Sequence, residues 1–155
     1  MDITTLVQAV QTSKTGDAFN TGLCAQQWQM LAPYLACHEL RAGEMLMRQG
    51  DFGRTAYLVE QGNLQVFVTG GPPGRQRIAV QRPGSLIGEP GLFADVPRSA
   101  NVEAMTPCVV WALSAARLED MCVQLPSLAL QLVRAAGTVM ATRMRANIEC
   151  GLPLA

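Results

Sequence analysis

Residues that bind metal ions are scarce in this sequence. It has one histidine, His38, and its cysteines form no CxxC pair and no other short spacing typical of metal ligands. Metal enzymes of the cupin type need a cluster of histidine and carboxylate ligands, and iron–sulfur centres need clustered cysteines. We therefore predict no metal site and no catalytic activity. The cysteines are predicted to be reduced thiols, at Cys24, Cys37, Cys108, Cys122 and Cys150.

Excess charge and long apolar runs are also missing. The chain has 12 Lys plus Arg and 12 Asp plus Glu, so no global electrostatic field would recruit nucleic acid or an anionic membrane. No apolar run approaches the roughly 20 residues needed to cross a bilayer, and the N-terminus lacks the basic start of a signal peptide. We expect a cytoplasmic protein without a membrane segment, whose partner has to be identified from a local site.

The length of 155 residues is that of one domain with a sizeable core. The composition between residues 12 and 22 is typical of a loop. We therefore predict an N-terminal helix or arm and loop over residues 1–22, the main domain over residues 23–150, and a tail over residues 151–155.

Helical patterns are confined to the two ends of the chain. Near the start, Pro33 predicts a kink in the second helix. Near the end, Ser114 is a suitable N-cap, and Pro126 marks a break between two further helices. We predict helices over residues 3–10, 23–35, 115–124 and 127–148.

The middle of the chain, from residue 36 to residue 113, has short apolar or alternating runs separated by turn residues. Many short strands at this spacing favour a sandwich or jelly roll over a parallel sheet. We predict strands over residues 37–40, 45–48, 56–59, 64–68, 78–80, 99–105 and 108–113, with a hairpin loop at residues 70–74.

The last predicted helix is amphipathic at about 100° per residue, except at one position. Its polar stripe contains Gln131, Arg134, Thr138, Thr142 and Arg145, and its apolar side contains Leu132, Ala136, Val139 and Met140. Arg143 lies about 120° from the polar stripe. Either its stem crosses apolar surface and its head reaches water, or its guanidinium reaches a ligand or a carboxylate beneath the helix.

The segment from residue 84 to residue 100 carries the candidate chemistry. Pro90 suits the first position of a helix, so residues 90–94 are predicted to form one helical turn. The amides of Gly91 and Leu92 would then be available to an anion at the start of that turn. Gly88 and Gly91 would let the backbone approach a ligand closely.

The charged residues of this segment suit a phosphate and a sugar. Arg98 has a planar fork that matches phosphate oxygens, and Ser99 adds a hydroxyl and an amide beside it. Glu89 accepts hydrogen bonds and suits a ribose hydroxyl. A phosphate donor and a sugar acceptor together indicate a nucleotide. Alternatively, Glu89 and Arg98 pair with each other across a turn, as an exposed ion pair contributing about 0–1 kcal/mol.

The same segment resembles the phosphate-binding cassette of the cyclic-nucleotide-binding domain family. That family includes bacterial catabolite-activator regulators, regulatory subunits of the cyclic-AMP-dependent kinase, and cyclic-nucleotide-gated channels. The match consists of Gly88-Glu89, Gly91-Leu92-Phe93 and Pro97-Arg98-Ser99-Ala100, with the family's usual spacing. The resemblance extends over about residues 23–148, through Trp28, Leu31 to Leu35, Ala42-Gly43-Glu44, Gln49-Gly50-Asp51, Tyr57-Leu58-Val59 and Gly62.

The resemblance implies a mainly β protein, an antiparallel jelly roll with N-terminal helices and two C-terminal helices. It implies that Glu89 binds the ribose 2'-hydroxyl and Arg98 the cyclic phosphate, with further phosphate contacts from Ser99 and Ala100. Gly88 and Gly91 would shape the turn, while Arg143 and its neighbour Met140 would cap the base. The expected ligand is cyclic AMP rather than cyclic GMP, sensed through the C-terminal helices.

Two departures from the family bear on function. Pro90 replaces a residue with a free amide, which removes one potential phosphate donor, although Gly91 and Leu92 could compensate for it. No helix-turn-helix motif follows the long helix, so we expect no direct DNA binding by this chain. The alternative hypothesis is a degenerate fold that serves as an interaction module and forms a homodimer, or binds an effector domain, through the C-terminal helix.

Overall fold

The computed structural model describes residues 2–70 and 77–149. Most of the predicted loop at residues 70–74, the predicted tail at residues 151–155, and Cys150 lie outside the described residues. In the described ranges, none of the helices combines the length and the hydropathy of a membrane span.

Two four-stranded antiparallel sheets form the centre of the domain. The strands are β1 (Ala36–Leu40), β2 (Met45–Met47), β3 (Thr55–Gln61), β4 (Leu64–Phe67), β5 (Arg77–Gln81), β6 (Leu86–Ile87), β7 (Asn101–Ala104) and β8 (Cys108–Ser114). The first sheet has the order β1-β8-β3-β6 and the second the order β2-β7-β4-β5. The predicted antiparallel jelly roll with flanking helices is confirmed. Strand β6 was not predicted, because two apolar residues are too few to show an alternating pattern.

Helices lie at both ends of the chain, and one short helix lies between β6 and β7. They are α1 (Thr4–Thr12), α2 (Ala25–Leu31), α3 (Pro90–Phe93), α4 (Ala115–Gln124) and α5 (Pro126–Glu149), with a 3-10 turn at Ala32–Tyr34. The predicted kink in the second helix is the change from α2 to this turn, which contains Pro33. The predicted N-cap is also confirmed, because the Ser114 hydroxyl oxygen accepts a hydrogen bond from the Arg117 amide at 3.2 Å.

The central strands of the first sheet, β3 and β8, are buried on both faces, whereas its edge strand β1 is largely exposed. Between the sheets lies one apolar cluster: Met47, Val59, Leu64, Ile87, Val102, Ala104, Cys108 and Val110. On its other face, residues such as Leu58 and Trp111 join a larger cluster with the helices. The N-terminal arm contributes Ile3, Leu6 and Phe19 to that cluster. The domain therefore has three layers: helices, a buried sheet, and an outer sheet.

The predicted amphipathic pattern of α5 is confirmed at most positions. Leu132, Ala136 and Val139 are buried, and Arg134, Thr138, Thr142 and Arg145 are exposed. The placement of Gln131 on the wet face is corrected, because this residue is half-buried. Its amide nitrogen donates to the Thr21 carbonyl at 3.0 Å, and its amide oxygen accepts from Gln27 at 3.1 Å. These bonds hold α5 against the N-terminal arm.

Candidate functional site

A cavity of about 530 Å³ lies between the outer sheet, the segment around α3, and the last turns of α5. Its volume is in the range of about 300–1,000 Å³ common for small-molecule sites. Most of the residues predicted to bind ligand line it: Gly88, Glu89, Gly91, Arg98, Ser99, Ala100 and Arg143. Leu92 instead packs against the core beneath the helices. The fold therefore brings residues from distant parts of the chain to one cavity.

Backbone carbonyls hold Arg98 at one end of this cavity. Its Nη2 donates to the Thr55 carbonyl oxygen at 2.7 Å, and its Nη1 donates to the Gly88 carbonyl oxygen at 3.2 Å. A guanidinium has five N–H donors, so these two bonds leave three for an anion. Burial lowers the pKa of Arg98, against the opposing effects of Tyr57 and Glu89, yet an arginine stays cationic at neutral pH.

Three glycines make room for that guanidinium. A Cβ on Gly53 would lie 2.8 Å from Arg98 Nη2, and Cβ atoms on Gly88 and Gly91 would lie 2.9 Å and 3.1 Å from Nη1. Gly88 also has a φ of +77°, which other residues adopt only with strain. The loop before β3 also holds the backbone of Arg98 in place, because the Gly50 amide donates to the Arg98 carbonyl at 2.8 Å.

The prediction that the amides of Gly91 and Leu92 are available to an anion is wrong. The Gly91 amide donates to the Gly88 carbonyl at 3.1 Å, and the Leu92 amide donates to the Glu89 carbonyl at 3.0 Å. The turn that begins at Pro90 is so short that its first amides bond back to the two residues before it. The Arg98 side chain is thus the principal anion donor at this end.

Glu89 also lines the cavity and is only 3% exposed. Its Oε2 accepts a hydrogen bond from Arg143 Nη1 at 3.0 Å. Within residues 2–70 and 77–149, Arg143 is the cation that pairs with Glu89, and no ion pair joins Glu89 to Arg98. The alternative of a simple Glu89–Arg98 pair is therefore wrong. The two residues stay apart on the lining of one cavity.

Arg143 reaches beneath α5, as one of the two interpretations of its position required. Its side chain is 17% exposed, so the interpretation that places its head in water is wrong. Besides Glu89, its Nε donates to Asp17 Oδ2 at 2.7 Å and its Nη2 donates to Gln81 Oε1 at 3.3 Å. Burial acts to raise the pKa of Asp17, but the hydrogen bond and charge of Arg143, together with hydrogen bonds from Thr15 and the Asp17 backbone, lower that pKa overall.

The rest of the lining is apolar on the sheet side and partly polar on the helix side. Met47, Val66, Ala79, Ile87 and Val102 present aliphatic and thioether surface, while α5 adds Ala146 and Asn147. An apolar wall of this kind suits a flat ring system, and polar groups at its border suit the edge of such a ring. The cavity as a whole can bind an anion, a hydroxylated sugar and a base.

Metal chemistry finds no support in the described part of the chain, where no group of three or more His, Cys, Asp or Glu residues could hold an ion. His38 lies on β1, is exposed, and pairs with Val110 rather than lining the cavity. The contributions of Gly53 and Thr55 were missed from the sequence. Their only signal was the turn Gln49-Gly50-Asp51 that precedes them.

Comparison with known proteins places the chain in a family. A family model for the cyclic nucleotide-binding domain matches residues 37–124. The cAMP-dependent protein kinase regulatory subunit of Blastocladiella emersonii is 33% identical over 104 residues, covering 67% of this chain and 26% of that protein. Acetyltransferase Pat of Mycolicibacterium smegmatis is 38% identical over 95 residues, covering 60% of this chain and 28% of that protein. The chain spans about a quarter of the length of these curated relatives.

Solved structures match over more of their length. The N-terminal domain of a transcriptional regulator from Streptomyces coelicolor superposes with a TM-score of 0.69 at 30% identity, covering 88% of this chain and 93% of that one. The Catabolite Activator Protein of Thermus thermophilus superposes with a TM-score of 0.70 at 28% identity, covering 84% of this chain and 60% of that one.

Proposed function

The chain belongs to the cyclic nucleotide-binding domain family, and from this premise we propose that it binds a cyclic mononucleotide in the cavity described above, without converting it. The observation that carries the proposal is the separation of the two charged groups. Arg98 and Glu89 line one cavity but do not pair with each other, so each has binding capacity left for a ligand.

Each part of the ligand has a matching part of the cavity. Donors of Arg98 that its two backbone bonds leave free bind the cyclic phosphate, helped by Ser99 and Ala100, which line the same cavity. Glu89 accepts a hydrogen bond from the ribose 2'-hydroxyl. A carboxylate suits a hydroxyl donor, whereas it would be poorly placed against a phosphate. Gly88 and Gly91 keep the backbone close enough for both contacts.

The base lies against the aliphatic wall of the outer sheet, under the last turns of α5. This helix gives the cavity Arg143, Ala146 and Asn147, so a bound base contacts it directly. A ligand shifts a conformational equilibrium only through contacts that differ between the two states. Contact with α5 provides such a difference, and the chain therefore acts as a sensor through its C-terminal helix. Cyclic AMP is the expected ligand, as in the cAMP-dependent kinase subunit that the chain resembles.

Titration calorimetry with cyclic AMP and with cyclic GMP tests this function. In Arg98→Leu we expect affinity to fall by about 100-fold or more, because several charge-assisted hydrogen bonds are lost together. Arg134→Leu is the matched control, since Arg134 is exposed on α5 outside the cavity lining and its loss should change affinity less than about twofold. Absence of heat with both nucleotides on the wild type contradicts the proposal.

A second candidate function is self-association or effector binding through α5, with the nucleotide site unused. It is favoured by three apolar side chains on this helix, Leu130, Met144 and Ile148, which are 57%, 44% and 60% exposed. Sedimentation equilibrium of the wild type, of Ile148→Glu and of Arg98→Leu tests it. This function predicts association that Ile148→Glu weakens and Arg98→Leu leaves unchanged, and dissociation by Arg98→Leu counts against it.

A further inference from the structure

We propose that Asp17, in the segment between α1 and α2, is a positioning residue for the sugar end of the cavity. It acts through Arg143, which in turn holds Glu89. The inference rests on the proposed function, because it assigns a residue from the N-terminal arm to the binding of the ribose hydroxyl. The segment concerned lies more than 70 residues before Glu89 in the chain.

The first step is the fixed orientation of Arg143. All three guanidinium nitrogens are in use: Nε donates to Asp17, Nη1 to Glu89 and Nη2 to Gln81. These partners come from the N-terminal arm, the cassette segment and β5. The planar guanidinium has one orientation that satisfies three partners in three directions. The Asp17 bond, at 2.7 Å, is the shortest of the three.

The second step is the state of the Glu89 carboxylate. A buried carboxylate is costly unless a cation and hydrogen bonds compensate it, and the Glu89 side chain is only 4% exposed. Arg143 supplies that compensation at Oε2. In the described residues no donor occupies the other oxygen, Oε1, which is thereby left to accept a hydrogen bond from a hydroxyl. The cavity of about 530 Å³ is present with this bridge already formed, so a ligand does not have to displace Arg143.

The third step is the firm placement of Asp17. Two residues further along, Phe19 is 3% exposed and anchors the segment in the core. On the other side, the end of α1 lies directly over Gly84, where a Cβ would come within 2.4 Å of the Ala9 carbonyl oxygen. The segment between these anchors is short, so the Asp17 carboxylate has little freedom to move away from Arg143. The lowered pKa of Asp17 agrees with a carboxylate that stays ionised in this place.

Together Asp17, Arg143 and Glu89 form a chain of two ion pairs, here called the relay. Its two carboxylates and one guanidinium carry one net negative charge. Without Asp17, the guanidinium keeps Glu89 and Gln81 but loses the bond that fixes its Nε edge. Arg143 and Glu89 can then tilt together, and Oε1 is no longer aimed at the ribose. The loss should therefore affect the contact with the 2'-hydroxyl and spare the contact with the phosphate.

Calorimetry with cyclic AMP and its 2'-deoxy analogue separates these effects. In Asp17→Asn we expect cyclic AMP to bind about five- to tenfold more weakly, which is the coupling common between residues of one hydrogen-bond network. The 2'-deoxy analogue should lose less than about twofold, because it makes no bond to Glu89. Asp17→Glu keeps the carboxylate and should restore at least part of the affinity for cyclic AMP.

Asp120→Asn is the matched control. Asp120 also pairs with an arginine, Arg117 at 3.6 Å, but this pair is exposed on α4 and outside the cavity lining. It should leave both affinities unchanged. Equal losses for both nucleotides in Asp17→Asn, or no loss for either, overturn the relay while the proposed function stands. Absence of binding to the wild type overturns the proposed function and the relay with it.

Discussion

In the proposed binding mode, Arg98 at the phosphate end of the cavity is held by backbone carbonyls and by the space that glycines leave, whereas Glu89 at the sugar end is held by the side chain of Arg143. The partners of Arg98 come from the cassette itself and from the start of β3. The groups that meet at Arg143, which lies on α5, come from the arm, from the cassette and from β5, with separations in sequence from Arg143 of up to 126 residues.

This difference determines how each end of the cavity responds when other parts of the chain move. In the proposed binding mode, a phosphate end held by backbone groups changes little when other parts of the chain move, so its affinity for the phosphate stays constant. A sugar end built from distant side chains changes whenever the arm or α5 moves, because the guanidinium depends on both. We infer that affinity and conformational response are divided between the two ends of one cavity.

The largest loss of stability is expected when the sugar end loses its cation. Arg143→Met leaves Glu89 buried without a charged partner, and the free energy of unfolding should fall by about 2–4 kcal/mol. The double variant Arg143→Met/Glu89→Gln removes the uncompensated charge and should recover about half of that loss. Urea unfolding at neutral pH measures both. A double variant no more stable than the single one would contradict the role of the buried charge.

A smaller loss is expected from the phosphate end. Gly88→Ala combines a φ of +77° with a Cβ 2.9 Å from Arg98 Nη1, and we expect a loss of about 1–3 kcal/mol in unfolding free energy and weaker nucleotide binding. Gly43→Ala is the control, because Gly43 has a φ of +89° and no atom within 4 Å of its Cβ position. The Gly43→Ala variant therefore has only the energetic cost of a positive φ. Equal losses in both variants would show that Gly88 does not confine Arg98.

The relay at the sugar end predicts a dependence on pH. Because Arg143 lowers the pKa of folded Asp17, this carboxylate stabilises the fold above its unfolded pKa of about 4 and loses that effect as the pH falls through the folded value. The wild type should therefore exceed Asp17→Asn by up to about 1 kcal/mol at neutral pH, and the difference should be smaller at pH 3. Urea unfolding at the two pH values tests it, and a constant difference refutes it.

The smallest effect is expected two residues beyond Arg143. Arg145 pairs with Glu149 at 3.2 Å, but the two side chains are 85% and 65% exposed, so Arg145→Met should change unfolding free energy by less than about 0.5 kcal/mol. Thermal or urea unfolding gives the comparison. A loss of unfolding free energy as large as that of Arg143→Met would mean that a general weakening of α5, rather than the unpaired charge of buried Glu89, explains both losses.

The phosphate end could be predicted from the sequence because its signals are local. Gly88, Glu89 and Arg98 lie within one short segment, and the spacing of that segment is informative by itself. The jelly roll could be predicted for the same reason, because each strand has a local alternating pattern of apolar and polar residues. The contributions of Gly53 and Thr55 were not predicted, because these residues lie outside the cassette segment. Strand β6 and the true bonding of the amides after Pro90 were not predicted either, because both depend on how a very short element closes on its neighbours.

The sugar end could be predicted only in part. The helical wheel singled out Arg143 as misplaced for a surface charge, and the structure gives it buried partners. Which partners it has could not be deduced, because Asp17 lies in a loop with no periodic pattern and Gln81 is one polar residue at the end of a strand. Contacts between side chains so far apart in sequence are decided by the packing of the whole fold.

The relay also constrains how this sequence can change over evolutionary time. Replacement of Asp17 leaves Arg143 and Glu89 paired, so the fold tolerates it at a small cost in stability, and the proposed contact with the ribose is weakened. Replacement of Arg143 leaves a buried carboxylate without a cation, so it is tolerated only after Glu89 has itself become neutral. A lineage that abandons nucleotide sensing is therefore expected to lose the acid at position 17 first, then the acid at position 89, and the arginine at position 143 last.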